Sequence, residues 1–167
     1  MLSENVEYFT EKEAEKRDKI VKGYFDTSTI NNIVNEVASN LQNLPQKSAV
    51  LDVGAGTGFF TTKIAKRLSK RDLNFYAFDA TPAMLNMLAK KLHKLNEVAV
   101  TPILGIAERI NESLTMSRKA YKPLGVTLPL RFDAVISILI LHHCVSLPEV
   151  LGSMKKSSKA WNKISAC

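Results

Sequence analysis

At 167 residues the chain is long enough for one domain with a real core, and its hydrophobic fraction of 46% and charged fraction of 23% exclude a disordered or fibrous class. The longest apolar run, residues 134–141, is too short to span a bilayer. The net charge of +7 permits anionic partners without requiring them; lysines on solvated helix faces account for it, so nucleic acid is not the expected partner.

Residues 1–22 are rich in Glu and Lys and predict a surface helical arm, interrupted by Tyr24-Phe25. Asp26, Thr27 and Ser28 are candidates to cap the next helix, whose Ile30, Ile33, Val34, Val37, Ala38 and Leu41 recur at the spacing of one buried face. Pro45 follows its end. Ala49 to Val53 is almost wholly apolar, as a strand covered on both faces should be. After a glycine-rich stretch, Thr61, Ile64, Ala65 and Leu68 form a helical face, with Lys66, Arg67, Lys70 and Arg71 toward the end that favours cations.

Asn74 to Phe78 is a second strand ending at Asp79. Thr81-Pro82 then predicts an N-cap with proline at the first helical position. Val98 to Leu104 is a third strand, and Pro102 within it argues for a sheet edge. Ile110 to Lys122 reads as a surface helix, Leu124 to Arg131 as a loop and Phe132 to Leu141 as a fourth strand. Pro148 to about Trp161 reads as a last helix. Strands alternating with helices imply a parallel α/β sheet with right-handed crossovers, ligands beyond the strand carboxyl ends and the first strand central.

The chemistry concentrates in Asp52-Val53-Gly54-Ala55-Gly56-Thr57-Gly58. Glycines at alternate positions between a strand and a helix are needed where something must touch the backbone, and the helix start offers free N–H groups. The third glycine comes one position too early for a dinucleotide fingerprint, and no Gly-Lys-Ser/Thr follows as a phosphate loop would require. What remains is an acid, three alternating glycines and a second strand-end acid, Asp79, able to accept both hydroxyls of a ribose.

These residues resemble a class I S-adenosylmethionine-dependent methyltransferase, of the branch containing ubiquinone/menaquinone-type and other small-molecule enzymes. Val50 to Thr61 resembles the first motif of that family and Phe78 to Leu85 the second. Leu104 to Glu108 resembles the third, and Leu128 through His143 the fourth. The resemblance implies a Rossmann-like parallel sheet and S-adenosylmethionine as cofactor. It implies cofactor contacts from Asp52, Gly54, Ala55, Gly56, Thr57, Gly58, Asp79, Ala80, Met84, Ile106, Ala107 and Ile138. Ile106 stands where the family usually has an aspartate, which leaves the adenine to packing and backbone groups.

The family fold has more strands than the four read here, so the expectation is an incomplete sheet: an N-terminal helical arm and cap over 1–45 and a C-terminally truncated methyltransferase domain over 46–167. Its fourth strand would then be an exposed apolar edge and a route to self-association. The implied reaction is methyl transfer to a small-molecule acceptor. The alternative is a non-catalytic cofactor-binding or interaction fragment that has lost its acceptor side. His142 and His143 are weak candidates for a base or for acceptor-site lining; adjacent strand residues face opposite sides, so His142-His143-Cys144 is a poor metal site and no metal is expected. Tyr24 and Phe25 are candidates to cover the cofactor. Two cysteines and a polar, acidic N-terminus point to the cytoplasm.

Overall fold

The computed structural model describes residues 10–95, 98–139 and 147–158. Its elements are α1 Glu11–Tyr24, α2 Thr27–Leu41, β1 Ala49–Val53, α3 Phe59–Arg67, β2 Asn74–Asp79, α4 Pro82–Leu92, β3 Val100–Leu104, α5 Ile110–Tyr121, β4 Ala134–Ile136 and α6 Leu147–Ser157. The strands form one parallel sheet in the order β3-β2-β1-β4, which makes the fold α/β and places β1 inside it.

Local chemistry starts the helices. Thr10 and Glu13 cap α1 reciprocally. At α2 the cap falls to Asp26, whose carboxylate accepts the Thr29 N–H at 2.7 Å. Pro82 opens α4, where a missing N–H costs nothing. Pro102 is tolerated because β3 is an edge strand.

All five residues of β1 are buried, because helices cover both faces of the sheet. On one face Val50 and Phe75 meet Val34, Val37 and Leu41 of α2 and Ile64 of α3. Val21 of α1 joins the same cluster, so the N-terminal arm shares its core with the sheet. On the other face Leu51, Val53 and Ile103 meet Ile110 and Leu114 of α5 and Val150 and Met154 of α6. Residues alternate between these faces as strand geometry dictates.

Three elements differ from the sequence-based expectation. β3 begins at Val100, two residues later than the apolar run. β4 spans Ala134–Ile136 and not the whole run from Phe132; Leu139 has φ +60°, which no extended strand accommodates, and Ile140 and Leu141 lie outside the described residues. The last helix ends at Ser157, because the chain there returns to the sheet: the Phe132 N–H donates to the Ser157 carbonyl at 2.9 Å, and Ser158 pairs in parallel with Phe132. On its other side Asp133 exchanges bonds with Ala49, donating its N–H at 2.8 Å and accepting the Ala49 N–H at 2.8 Å. The edge beside β4 is therefore partly covered at its start.

Phe132 is fully buried, and its ring meets that of Tyr76 edge-on at 5.4 Å. Phe132→Ala should cost about 3–5 kcal/mol of unfolding free energy, the typical loss for emptying a buried aromatic site. Urea denaturation checks this; a loss below about 1 kcal/mol would mean that the site collapses freely.

Candidate functional site

The carboxyl ends of β1, β2 and β3 converge on Asp79. Its carboxylate accepts the Gly56 N–H at 2.8 Å through one oxygen and the Thr81 N–H at 2.9 Å through the other. Its main-chain carbonyl accepts the Gly105 N–H at 2.9 Å from the loop after β3. One residue earlier, the Phe78 carbonyl accepts the N–H groups of Gly54 and Ala55 at 2.7 and 3.1 Å. The glycine loop is thus tied to the end of β2 by three backbone donors.

Gly56 and Gly58 are required for different reasons. Both have positive φ, +55° and +70°, where side chains are strained. A Cβ on Gly58 would lie 2.4 Å from Leu88 Cδ1, so this glycine permits the loop to pack on α4. A Cβ on Gly56 would meet nothing within 4 Å. Its backbone faces open space, as a cradle for a ligand must. Gly58 also occupies the N-cap position of α3 without a side-chain bond, which leaves first-turn N–H groups of α3 for a ligand.

Two buried acids lie at this point. Burial pushes the Asp79 carboxyl up; its bonds to the Thr81 and Gly56 N–H groups and the charge of Arg17 act in the opposite direction. Asp52 is 3% exposed, and its carboxyl rises from the ordinary 3.8 to about 6 through burial, with the Asp79 charge adding a smaller push. The Thr61 hydroxyl donates to Asp52 at 2.6 Å and works against that rise. Asp52 therefore lies beneath the loop, fastened to the first turn of α3.

The structure brings Asp52, Gly54, Ala55, Gly56, Thr57, Gly58 and Asp79 together. Ala80 follows Asp79 half-buried, and Met84 is buried in the first turn of α4. Ile106 is half-buried, and its N–H donates to the Ser113 hydroxyl at 3.2 Å. Ala107 packs into the core under α5 and α6, and Ile138 against the core under α2 and α3, so these two lie on opposite faces of the sheet. Thr81 sits at the N-cap of α4 but makes no side-chain cap bond; Asp79 accepts its N–H instead. His142, His143 and Cys144 lie outside the described residues.

The two residues expected to cover the cofactor are placed apart from each other. Tyr24 is 81% exposed, and Phe25 packs against the α2–α3 core. Instead, α1 reaches the loop through Asp18, which accepts the Thr57 hydroxyl at 2.6 Å and pairs with Lys91 of α4 at 2.6 Å. Sequence reasoning missed Asp18, Arg17 and Lys91. The available signal for the two residues of α1 was their spacing: Arg17 and Asp18 lie between Ala14 and Val21 on its buried stripe. Among the described residues no group of three His, Cys, Asp or Glu side chains is placed to hold a metal, and no helix is long and apolar enough to cross a membrane.

A family model described as a methyltransferase domain matches residues 51–160. No curated protein matches the sequence. Among solved structures, the chain is similar to a SAM-dependent methyltransferase from Aquifex aeolicus, at 22% identity and TM-score 0.59 over 90% of this chain and 68% of that one. It is also similar to the YcgJ protein from Bacillus subtilis, at 17% identity and TM-score 0.58 over 77% of this chain and 47% of that one. A third is magnesium protoporphyrin IX methyltransferase from Synechocystis, solved with bound SAH, at 17% identity and TM-score 0.55 over 77% of this chain and 51% of that one. At these identities the likeness concerns the fold, and the chain spans about half the length of the latter two.

Asp52 generates a pH signature with a definite sign. Its folded-state value, about 6, lies above the ordinary 3.8, so the folded protein holds this proton to higher pH than the unfolded chain does. Stability should therefore fall as pH rises through that window, by at most about 3 kcal/mol from this group, and the upward shift of Asp79 acts in the same direction. Asp52→Asn should flatten the dependence while keeping an acceptor for Thr61. Thermal unfolding of both proteins between about pH 4 and pH 7 checks it, and parallel curves would place the titration elsewhere.

Proposed function

The chain belongs to the methyltransferase-domain family, and from that premise we propose that it binds S-adenosylmethionine on the glycine loop and passes the methyl group to a small-molecule acceptor. The observation that carries this reading is the hydrogen bonding of the Asp79 carboxyl, which accepts one backbone N–H on each oxygen. An ionised carboxylate offers about four acceptor positions, and the two backbone N–H groups use one on each oxygen. Both oxygens keep capacity for a further donor, which suits the paired hydroxyls of a ribose.

The residues present fit the rest of the cofactor. Open space over Gly56 admits a ligand against the backbone, and the first turn of α3 offers N–H groups to a carboxylate. Asp52 and Asp79 place two buried carboxyls next to each other, each pushed up by burial, and a cationic ligand relieves that cost. When bound, the cofactor supplies the electrophilic methyl group. The protein's own part is to orient the ligand, exclude water and admit a nucleophile in line. A base is needed only for acceptors that must lose a proton, which is the role left to His142 and His143. Two cysteines suit a reducing cytoplasm, where we place the protein.

Titration calorimetry with S-adenosylmethionine and S-adenosylhomocysteine tests the binding half. Asp79→Ala should weaken both ligands by about 1.5–3 kcal/mol, the usual value of hydrogen bonds to a charged group. No binding by the wild type at millimolar concentration, or an unchanged affinity in the variant, would sink the assignment. Release of S-adenosylhomocysteine in the presence of a panel of small-molecule acceptors tests the transfer half; binding without release across the panel would support the rival reading, a cofactor-binding module.

A further inference from the structure

Asp18, Thr57 and Lys91 form a closed ring of three interactions. The Thr57 hydroxyl donates to Asp18 Oδ1 at 2.6 Å, Lys91 Nζ pairs with Asp18 Oδ2 at 2.6 Å, and Lys91 Nζ also donates to the Thr57 carbonyl at 2.8 Å. The ring joins α1, the glycine loop and α4, three segments far apart in sequence. It is not a solvent-washed pair: Thr57 is 2% exposed, and the Lys91 and Asp18 side chains are 24% and 31% exposed. Each member has two partners within the ring, so none can leave without stranding a polar group.

Thr57 lies between Gly56 and Gly58, both at positive φ. Glycine neighbours leave its peptide planes free to rotate, because neither flank carries a Cβ. Lys91 holds the Thr57 carbonyl and Asp18 holds its hydroxyl, so both the backbone and the side chain of the most pliable loop residue are fixed from outside the loop. The same turn of α1 carries Arg17, whose charge favours the ionised form of Asp79. Fastening α1 does not fill the cradle, since the space over Gly56 stays open while the ring is closed.

We infer that Asp18 is a positioning residue: it latches α1 to Thr57 and Lys91 and so holds the glycine loop in its binding conformation. This rests on the proposed cofactor reading, and deepens it. Because the closed ring leaves the cradle open, the latched arm is the binding-competent state and not a plug. Coupling between two equilibria is reciprocal. If latching favours the cofactor, cofactor binding must favour the latched arm by the same factor.

The test uses the whole chain and three variants, Asp18→Asn, Lys91→Met and the double variant. Asp18→Asn should weaken S-adenosylmethionine binding about tenfold, within the range usual for coupling between sites. Lys91→Met should do the same, and the double variant should lose little more than either single one, since all three open one ring. Trypsin cleavage within α1, at Lys12, Lys16, Arg17, Lys19 and Lys22, is the second readout: the cofactor should slow it in the wild type and have no effect in Asp18→Asn. Circular dichroism confirms that each variant is folded, and cleavage of the ligand-free protein should be faster in each. Wild-type affinity in Asp18→Asn, additive losses in the double variant, or unchanged cofactor protection of α1 would each overturn the latch. If the wild type binds no cofactor, the functional reading fails by itself, and the cleavage rates of the ligand-free proteins still decide whether the ring holds the arm.

Discussion

A single carboxylate, that of Asp79, bonded to the Gly56 N–H at 2.8 Å, sets the shape of the candidate site. A glycine loop with positive φ has no intrinsic preference for one conformation, because its residues were chosen for freedom. The loop is held instead by acceptors at the end of the neighbouring strand: Asp79 takes Gly56, and the Phe78 carbonyl takes Gly54 and Ala55. The geometry works because β1 and β2 are parallel and in register, Val53 opposite Phe78, so both chains leave the sheet at one level. An antiparallel neighbour would end at the other side of the sheet. The parallel topology is thus a condition of the site as well as a style of packing.

The price of this arrangement is electrostatic. Asp52 and Asp79 are both buried at the strand ends, and burial raises both. Backbone donors, the Thr61 hydroxyl and Arg17 offset part of the cost. A structure that needed only a strand–helix turn would gain by replacing one acid with an apolar side chain. Keeping both makes sense where a ligand brings positive charge and hydroxyl donors to the same place.

The parts of this site that were legible in the sequence are those in which one local segment dictates its own geometry. Glycines at alternate positions, a strand-end Asp79 and the Thr81-Pro82 helix start are such signals, and the structure assembles them around one point. The continuous burial of β1 and the buried stripe of α2 were legible for the same reason. The extent of β4 was not, because apolar composition does not report pairing. Its hydrogen-bonded ladder stops at Ile136, and the chain turns at Leu139 with φ +60°. The early end of α6 was equally hidden, since the bond from Phe132 to Ser157 joins residues that no helical or strand period connects. The third motif offers a mixed case: Ile106 keeps its N–H on Ser113, while the neighbouring Ala107 turns into the core under α5 and α6.

The inner stripe of α1 shows how an ordinary-looking charged helix acquires a definite register. Ala14, Asp18 and Val21 recur at the spacing of one face, and the two apolar members are buried. Apolar contacts alone fix such a helix poorly, because this stripe buries only Ala14 and Val21, and the alternative to be excluded is a shift of one turn, about 5.4 Å. Such a shift would bring Ala14 or Val21 to the place of Asp18. Lys91 would lose its carboxylate and the Thr57 hydroxyl its acceptor, while Asp18 would be left half-buried elsewhere. Leaving a partly buried charge unpaired costs more than the pair itself contributes. The ion pair thus acts chiefly by excluding the wrong registers, and the register it selects lets the charge of Arg17 act on Asp79 and leaves the space over Gly56 clear.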